Sequence, residues 1–286
     1  MSKFASPKGI KILKKQLLIA VSGLALVILL FLFGKTSEPP KPVAQAADSH
    51  NHSFDIEDFI KEKKASLSAT ALAKMDSLEK RGSGTEKLLS LANFWKDSTK
   101  FYEPALFYQA EAAKLDNSEK NLNFAAQLFL EWLRVEKDEA KLEWETAQAI
   151  DLFQRAIKID PQNDDLRIGL GSCYIYGYSQ SSDPQQTLKG IQEILTVARK
   201  DSNNMKAQLM LGVGGMVSGQ YDKAIARFNR VVKEQPTNLE AIAYLADAYA
   251  AAGKRAEAIN WYTISKRLAN NPHYSEEVDK RIKSLQ

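Results

Sequence analysis

The stretch that decides the fold runs from Met205 to Asn238, MKAQLMLGVGGMVSGQYDKAIARFNRVVKEQPTN, and continues without a break into 239–272, LEAIAYLADAYAAAGKRAEAINWYTISKRLANNP. Counting Met205 as position one puts Leu211 and Gly212 at seven and eight, Gly219 at fifteen, Tyr221 at seventeen, Ala224 at twenty, Phe228 at twenty-four and Pro236 at thirty-two. A count restarted at Leu239 finds Leu245, Ala246, Gly253, Ala258 and Tyr262 at the matching places, with Pro272 slightly beyond the expected end. A recurrence at fixed spacing is the mark of a repeat architecture. Small residues at eight and twenty let two helices approach closely, and large ones at seven and twenty-four fill the space between them. Gly and Pro punctuate the turns.

This pattern resembles the tetratricopeptide repeat (TPR), a helix-turn-helix unit with a period of about 34 residues. Upstream the match loosens. Leu170, Gly171 and Tyr174 suit a first helix, and Gly190, Ile194 and Val197 suit its partner after about seven extra residues around GYSQSSDPQ. AIDLFQRAIKIDP, with Ala149, Phe153, Ala156 and Pro161, reads as a second helix whose first helix runs from Asn121 to Val135 with Phe124, Leu128 and Trp132 inward. A weaker unit runs from Glu86 to Asp116. The expected fold is all-α, a TPR helix-turn-helix solenoid over 86–271 closed by a capping helix over 272–286, in which Tyr274, Val278, Ile282 and Leu285 share one face.

Before the repeats, residues 53–85 predict one lead-in helix, capped by Ser53 or Asp55 and ended by Gly82 and Gly84. Residues 34–52 carry Pro39, Pro40 and Pro42 and read as an extended spacer. Residues 17–33, LLIAVSGLALVILLFLF, hold no charge and at about 1.5 Å per residue reach nearly across a bilayer core. They predict a transmembrane helix. Residues 1–16 form a basic tail with Lys3, Lys8, Lys11, Lys14 and Lys15, whereas the stretch after the apolar run offers only Lys35 and Lys41, so the positive-inside rule puts the amino terminus in the cytoplasm. The rival is a cleaved signal peptide, for which Ala44-Gln45-Ala46 has the right form but lies far downstream.

Charge follows the same division. The whole chain has 39 basic and 35 acidic residues, and setting aside the five tail lysines leaves 34 basic against 35 acidic. A near-neutral remainder lacks the basic footprint that nucleic acid requires. The lone Cys173 forms no intrachain disulfide and reads as a buried small residue. His50, His52 and His273 make no ligand set and offer no base to a nucleophile. The glycines of GLGS and GVGGMVSG follow no strand, so they read as packing residues and not as a phosphate loop. Acidic residues, as in EKDEAKLEWE (136–145), read as solvated faces supported by lysines. No catalysis, cofactor, metal or small-molecule substrate is expected.

What the resemblance implies about ligands is more specific. TPR stacks bind through positions two, five, nine, twelve and thirteen of each first helix. Carried onto this chain, these are Asp165, Ile168, Ser172, Ile175 and Tyr176 in one repeat and Lys206, Leu209, Val213, Met216 and Val217 in the next. The family's carboxylate clamp of Lys, Asn and Arg is not reproduced by them, which implies an apolar or amphipathic helical ligand held in the groove, unless a helix of the same chain fills it. In layout the chain also resembles single-span periplasmic TPR proteins that accompany the bacterial Sec translocon. That implies an inner-membrane scaffold or chaperone for envelope or translocon components; an assembly factor for c-type cytochromes has the same layout, and an enzyme with an unfamiliar site among the diverged repeats is the remote alternative.

Overall fold

The computed structural model describes residues 53–99, 101–179 and 184–286. The spacer, the apolar run 17–33 and the basic tail lie outside them. Thirteen helices and no strand occur among the described residues, and none of those helices is long and apolar enough to cross a membrane.

The lead-in is two helices where the sequence predicts one. Asp55 caps α1 (Ile56–Ala65), accepting from the backbone N–H groups of Glu57 and Asp58 at 2.8 and 3.0 Å. Ser68 then caps α2 (Ala69–Lys80) through the Ala71 N–H. A serine that satisfies a helix start competes with continuation of the preceding helix, which explains the break. Ile60 and Met75 bury against Leu91, Phe94 and Trp95 of α3 (Gly84–Ser98), so the lead-in packs onto the first helix pair.

That pair is α3 with α4 (Tyr102–Asp116); next come α5 (Glu119–Leu133) with α6 (Glu139–Ile159), α7 (Asp164–Gly177) with α8 (Pro184–Lys200), α9 (Met205–Val217) with α10 (Tyr221–Glu234), and α11 (Leu239–Ala251) with α12 (Arg255–Ala269). Each pair is an antiparallel hairpin lying on its neighbours, and α13 (Pro272–Leu285) closes the end by burying Val278 against Ala246, Ala258 and Tyr262. Pro272 does not end α12. It occupies the first turn of α13, where its missing N–H is harmless, while Asn270 ends α12 in a left-handed conformation, φ 45°.

The register residues are the core. Gly212, Ala224, Phe228, Leu245, Ala246 and Ala258 are buried, and Phe228 is fully so, which contributes about 1.5–3 kcal/mol by area alone. Gly212 lies beneath the Phe228 ring, where a Cβ would come within 2.3 Å of it. Between α7 and α8 the approach is backbone to backbone. A Cβ on Gly171 would meet the Gly190 carbonyl oxygen at 2.7 Å, and one on Gly190 would meet that of Gly171 at 2.5 Å. Close helix packing is therefore what these glycines do.

A feature of the linkers was missed in the sequence although it is written there. Asn163, Asn204, Asn238 and Asn271 each precede a helix, and each side-chain oxygen accepts a backbone N–H of the first turn at 3.0–3.1 Å. The same cap thus starts α7, α9, α11 and α13.

Gly171→Ala is expected to lower stability by about 1–2 kcal/mol, because overpacking against a fixed carbonyl exceeds alanine's helix preference of about 1 kcal/mol. Thermal unfolding checks this. A raised Tm would show that α7 and α8 are not in backbone contact.

Candidate functional site in the concave face

The first helices of successive pairs, α5, α7, α9 and α11, line up their inner faces around a cleft of about 330 Å³. Its floor is apolar, made of Leu130, Ile168, Leu209 and Met210, and its rim is charged. Lys206 of α9 pairs with Asp165 of α7 at 3.0 Å. Arg134, at the end of α5, pairs with Glu240 of α11, 106 residues away in sequence. It also donates to the Tyr244 hydroxyl at 3.4 Å and lies over the Tyr176 ring, 5.4 Å from its centre, while the Tyr176 and Tyr244 hydroxyls are 3.1 Å apart.

Arg134, Tyr176, Tyr244 and Glu240 therefore latch one side of the curved face to the other. Burial, and after it the neighbouring Tyr244, push the Tyr176 phenol upward, so it stays a neutral hydrogen-bonding group. Both cations of the rim already face carboxylates, so the cleft has no spare positive charge for a terminal carboxylate. An α-helix with its side chains is about 10 Å across. The Arg134 to Glu240 pair crosses the face along which such a helix would lie, a feature invisible in the sequence because it depends on how the stack curves.

The structure brings together six of the ten residues singled out in sequence: Asp165, Ile168, Ser172, Tyr176, Lys206 and Leu209 line the cleft. Ser172 spends its hydroxyl on the Ile168 carbonyl at 2.7 Å. Ile175 and Val213 are instead core residues, and Met216 packs partly buried against the same cluster. Val217 is exposed at the end of α9, away from the cleft lining. The groove is also less apolar than the carried-over positions imply, because α5 supplies Asn123, Gln127 and Arg134 and α11 supplies Glu240. The signal for the first two was present. Counting from Glu119, the residue after the Ser118 cap, puts Asn123, Gln127 and Leu130 at positions five, nine and twelve, whereas a helix started at Asn121 misses them.

Two further expectations are corrected. Phe124 does not point inward but is 54% exposed on the flank of α5 facing the first pair. Glu145, read as part of a solvated face, is 1% exposed, because α6 begins ten residues before the repeat-like AIDLFQRAIKIDP and docks that extension against α4 and the lead-in. Cys173 is buried, and burial pushes its thiol upward out of the reactive range. No cluster of metal-ligating side chains occurs among the described residues.

Residues 217–276 match the family model described as tetratricopeptide repeat. No curated protein sequence matches the chain. Among solved structures, a thermophilic TPR protein of Thermus thermophilus is similar at 17% identity and a TM-score of 0.53, over 71% of this chain and 98% of that one. A tetratricopeptide repeat protein from Parabacteroides merdae is similar at 18% identity and 0.48, over 80% and 90%. At such identity the Thermus structure shows a shared fold and nothing about ligands.

Glu240→Gln is expected to change stability by less than about 1 kcal/mol, since both partners of the latch are 40% exposed and such pairs contribute little. Melts of wild type and variant that converge as salt is raised check this. A loss of several kcal/mol would mean that the latch holds the stack together. The fold and the repeat match thus agree: the described residues form an all-helical solenoid, and residues 217–276 of it match the tetratricopeptide repeat.

Proposed function

We propose that this protein is a membrane-anchored adaptor that holds other proteins on the concave face of its repeats. The observation that carries the reading is the cleft itself. Four first helices converge an apolar floor and a rim of paired charges on one place, and the charged groups and the Ser172 hydroxyl there are already engaged with partners inside the protein. Such a surface offers contact area and hydrogen bonds to a polypeptide without chemistry to perform on it. The partner sits on Leu209 and Ile168 and opens the Arg134 to Glu240 latch if it is helical. Because an exposed ion pair is worth about 0.2–1 kcal/mol, opening it takes little of the binding energy.

The finer reading concerns place. The uncharged run 17–33 preceded by five lysines supports a single span with the amino terminus in the cytoplasm, and a proline-containing spacer then sets the repeats off the bilayer. On this reading the protein lies in the inner membrane of a double-membraned bacterium, with its repeats in the periplasm, and scaffolds an envelope complex or shelters newly exported proteins. This placement rests on sequence and on resemblance of layout.

Two measurements test the proposal. A reporter fused after residue 286 that is active only outside the cytoplasm is the expected result, and cytoplasmic activity overturns the placement. Asp165→Lys and Leu209→Ser, in protein that keeps wild-type helicity, are expected to lose at least about 90% of the partners recovered after mild detergent extraction, the effect of removing more than about 1.4 kcal/mol. Undiminished recovery by both variants overturns the concave site.

A further inference from the structure

A second pocket, of about 240 Å³, lies away from the concave cleft, where α1, the start of α4, the end of α5 and the extra turns of α6 meet. Its walls are aromatic: Phe59 of α1, Phe101 and Tyr102 at the start of α4, and Trp132 of α5. Five charged residues also line it, and four of them have partners. Lys63 pairs with Glu62 at 2.8 Å and lies over the Phe59 and Phe101 rings, 4.9 and 5.2 Å from their centres. Lys141 pairs with Glu103 and lies over Phe59 at 5.2 Å. Glu136 accepts from the backbone N–H groups of Lys137 and Asp138 at 2.6 and 2.7 Å.

Glu145 is the exception. It is only 1% exposed, and its Oε2 has neither a hydrogen-bond partner nor contact with solvent. Its nearest helical cation, Lys141, is committed across the helix interface to Glu103. A buried, unpartnered carboxyl oxygen is unfavourable unless something binds it, which points to an occupant.

Charge decides which. With Glu145 protonated the lining is neutral, two lysines against Glu103 and Glu136. Ionised, it leaves one surplus negative charge, which one cation would balance. The aromatic faces favour an organic cation over a bare metal ion, and a single free oxygen suits a compact ammonium better than the two-toothed grip of a guanidinium. Beyond the Tyr102 to Trp132 ring contact, 4.5 Å between centres, lies an apolar groove of about 360 Å³ lined by Ala92, Ala105, Phe124 and Leu128. A chain whose basic residue enters the pocket can lay an apolar neighbour there.

We infer that this pocket is a binding site for the lysine ammonium of a partner polypeptide, which pairs with Glu145 while an adjacent apolar residue of the partner fills the groove beside Phe124. The pairing exchanges one cation for one proton. Burial first, then Glu136 and Glu103, push the Glu145 carboxyl up to about 8 against the opposing pull of Lys141. Near neutral pH it therefore enters the encounter protonated; the ammonium displaces the proton to the buffer and the carboxylate remains.

The sign for stability follows. A carboxyl whose folded pKa lies above its unfolded value destabilises the fold as pH rises between the two, because the folded state binds more protons there. Without ligand, wild type should lose stability relative to Glu145→Gln as pH rises from about 4.5 to about 8, and the two should not diverge below that range.

The test uses the whole protein and titration calorimetry with N-acetyl-leucyl-glycyl-lysine amide. Near pH 7, in buffers of differing ionisation enthalpy, binding should release close to one proton per peptide, falling toward none about two pH units above the Glu145 midpoint. Glu145→Gln, which keeps the shape and the fold, should weaken binding at least about tenfold, as should norleucine in place of lysine. n-Butylammonium, lacking the apolar neighbour, should bind about tenfold more weakly than the peptide. The inference is overturned by no binding, which would mean that the Glu145 carboxyl stays sealed in its neutral form, or by binding that Glu145→Gln leaves unchanged or that releases no proton. Equal affinity for butylammonium would overturn the polypeptide as the occupant. None of these readouts involves the concave cleft, so failure here and failure of the adaptor reading are separable.

Discussion

The described structure depends on how closely its paired helices approach. Gly171 and Gly190 place two backbones against each other, and Gly212 lies under the ring of Phe228. A helix with side chains of ordinary size at these points would stand off its partner, and each pair would carry that error into the next. Small residues at fixed places and one aromatic between them set the tilt of each unit, and repeated tilt produces curvature. Curvature in turn brings Arg134 to Glu240 across the face and assembles the cleft from four helices. The cleft is a consequence of packing residues that lie outside its lining.

The repeat register could be read from the chain because each of its residues answers a local demand repeated at one spacing. Leu211, Gly212, Ala224 and Phe228 have counterparts in Leu245, Ala246, Ala258 and Tyr262, and all are buried. About half the cleft lining was legible, since the resemblance to the repeat family carries its ligand positions onto Asp165, Ile168, Ser172, Tyr176, Lys206 and Leu209. Ile175 and Val213, carried over in the same way, are core residues, because neighbouring helices cover that flank of each first helix.

What the sequence concealed depends on how diverged units meet. Glu145 sits among charges in EKDEAKLEWE and has the pattern of a solvated face, yet a ten-residue extension at the start of α6 carries it beneath α4 and α1. Phe124 shares its helix stripe with Leu128 and Trp132, but the first pair leaves room at their side of α5, so that stripe lines an open groove. No period encodes such junctions. The asparagine caps are the opposite case, a repeated local feature outside the residues usually compared.

Attaching a photoreactive side chain in living cells at Leu209, on the cleft floor, and at Lys233, exposed on α10, tests the use of the concave face most directly. Adducts of defined size from position 209 and none from 233 are the predicted result. Adducts from 233 alone, or equal labelling from both, would contradict a concave binding face.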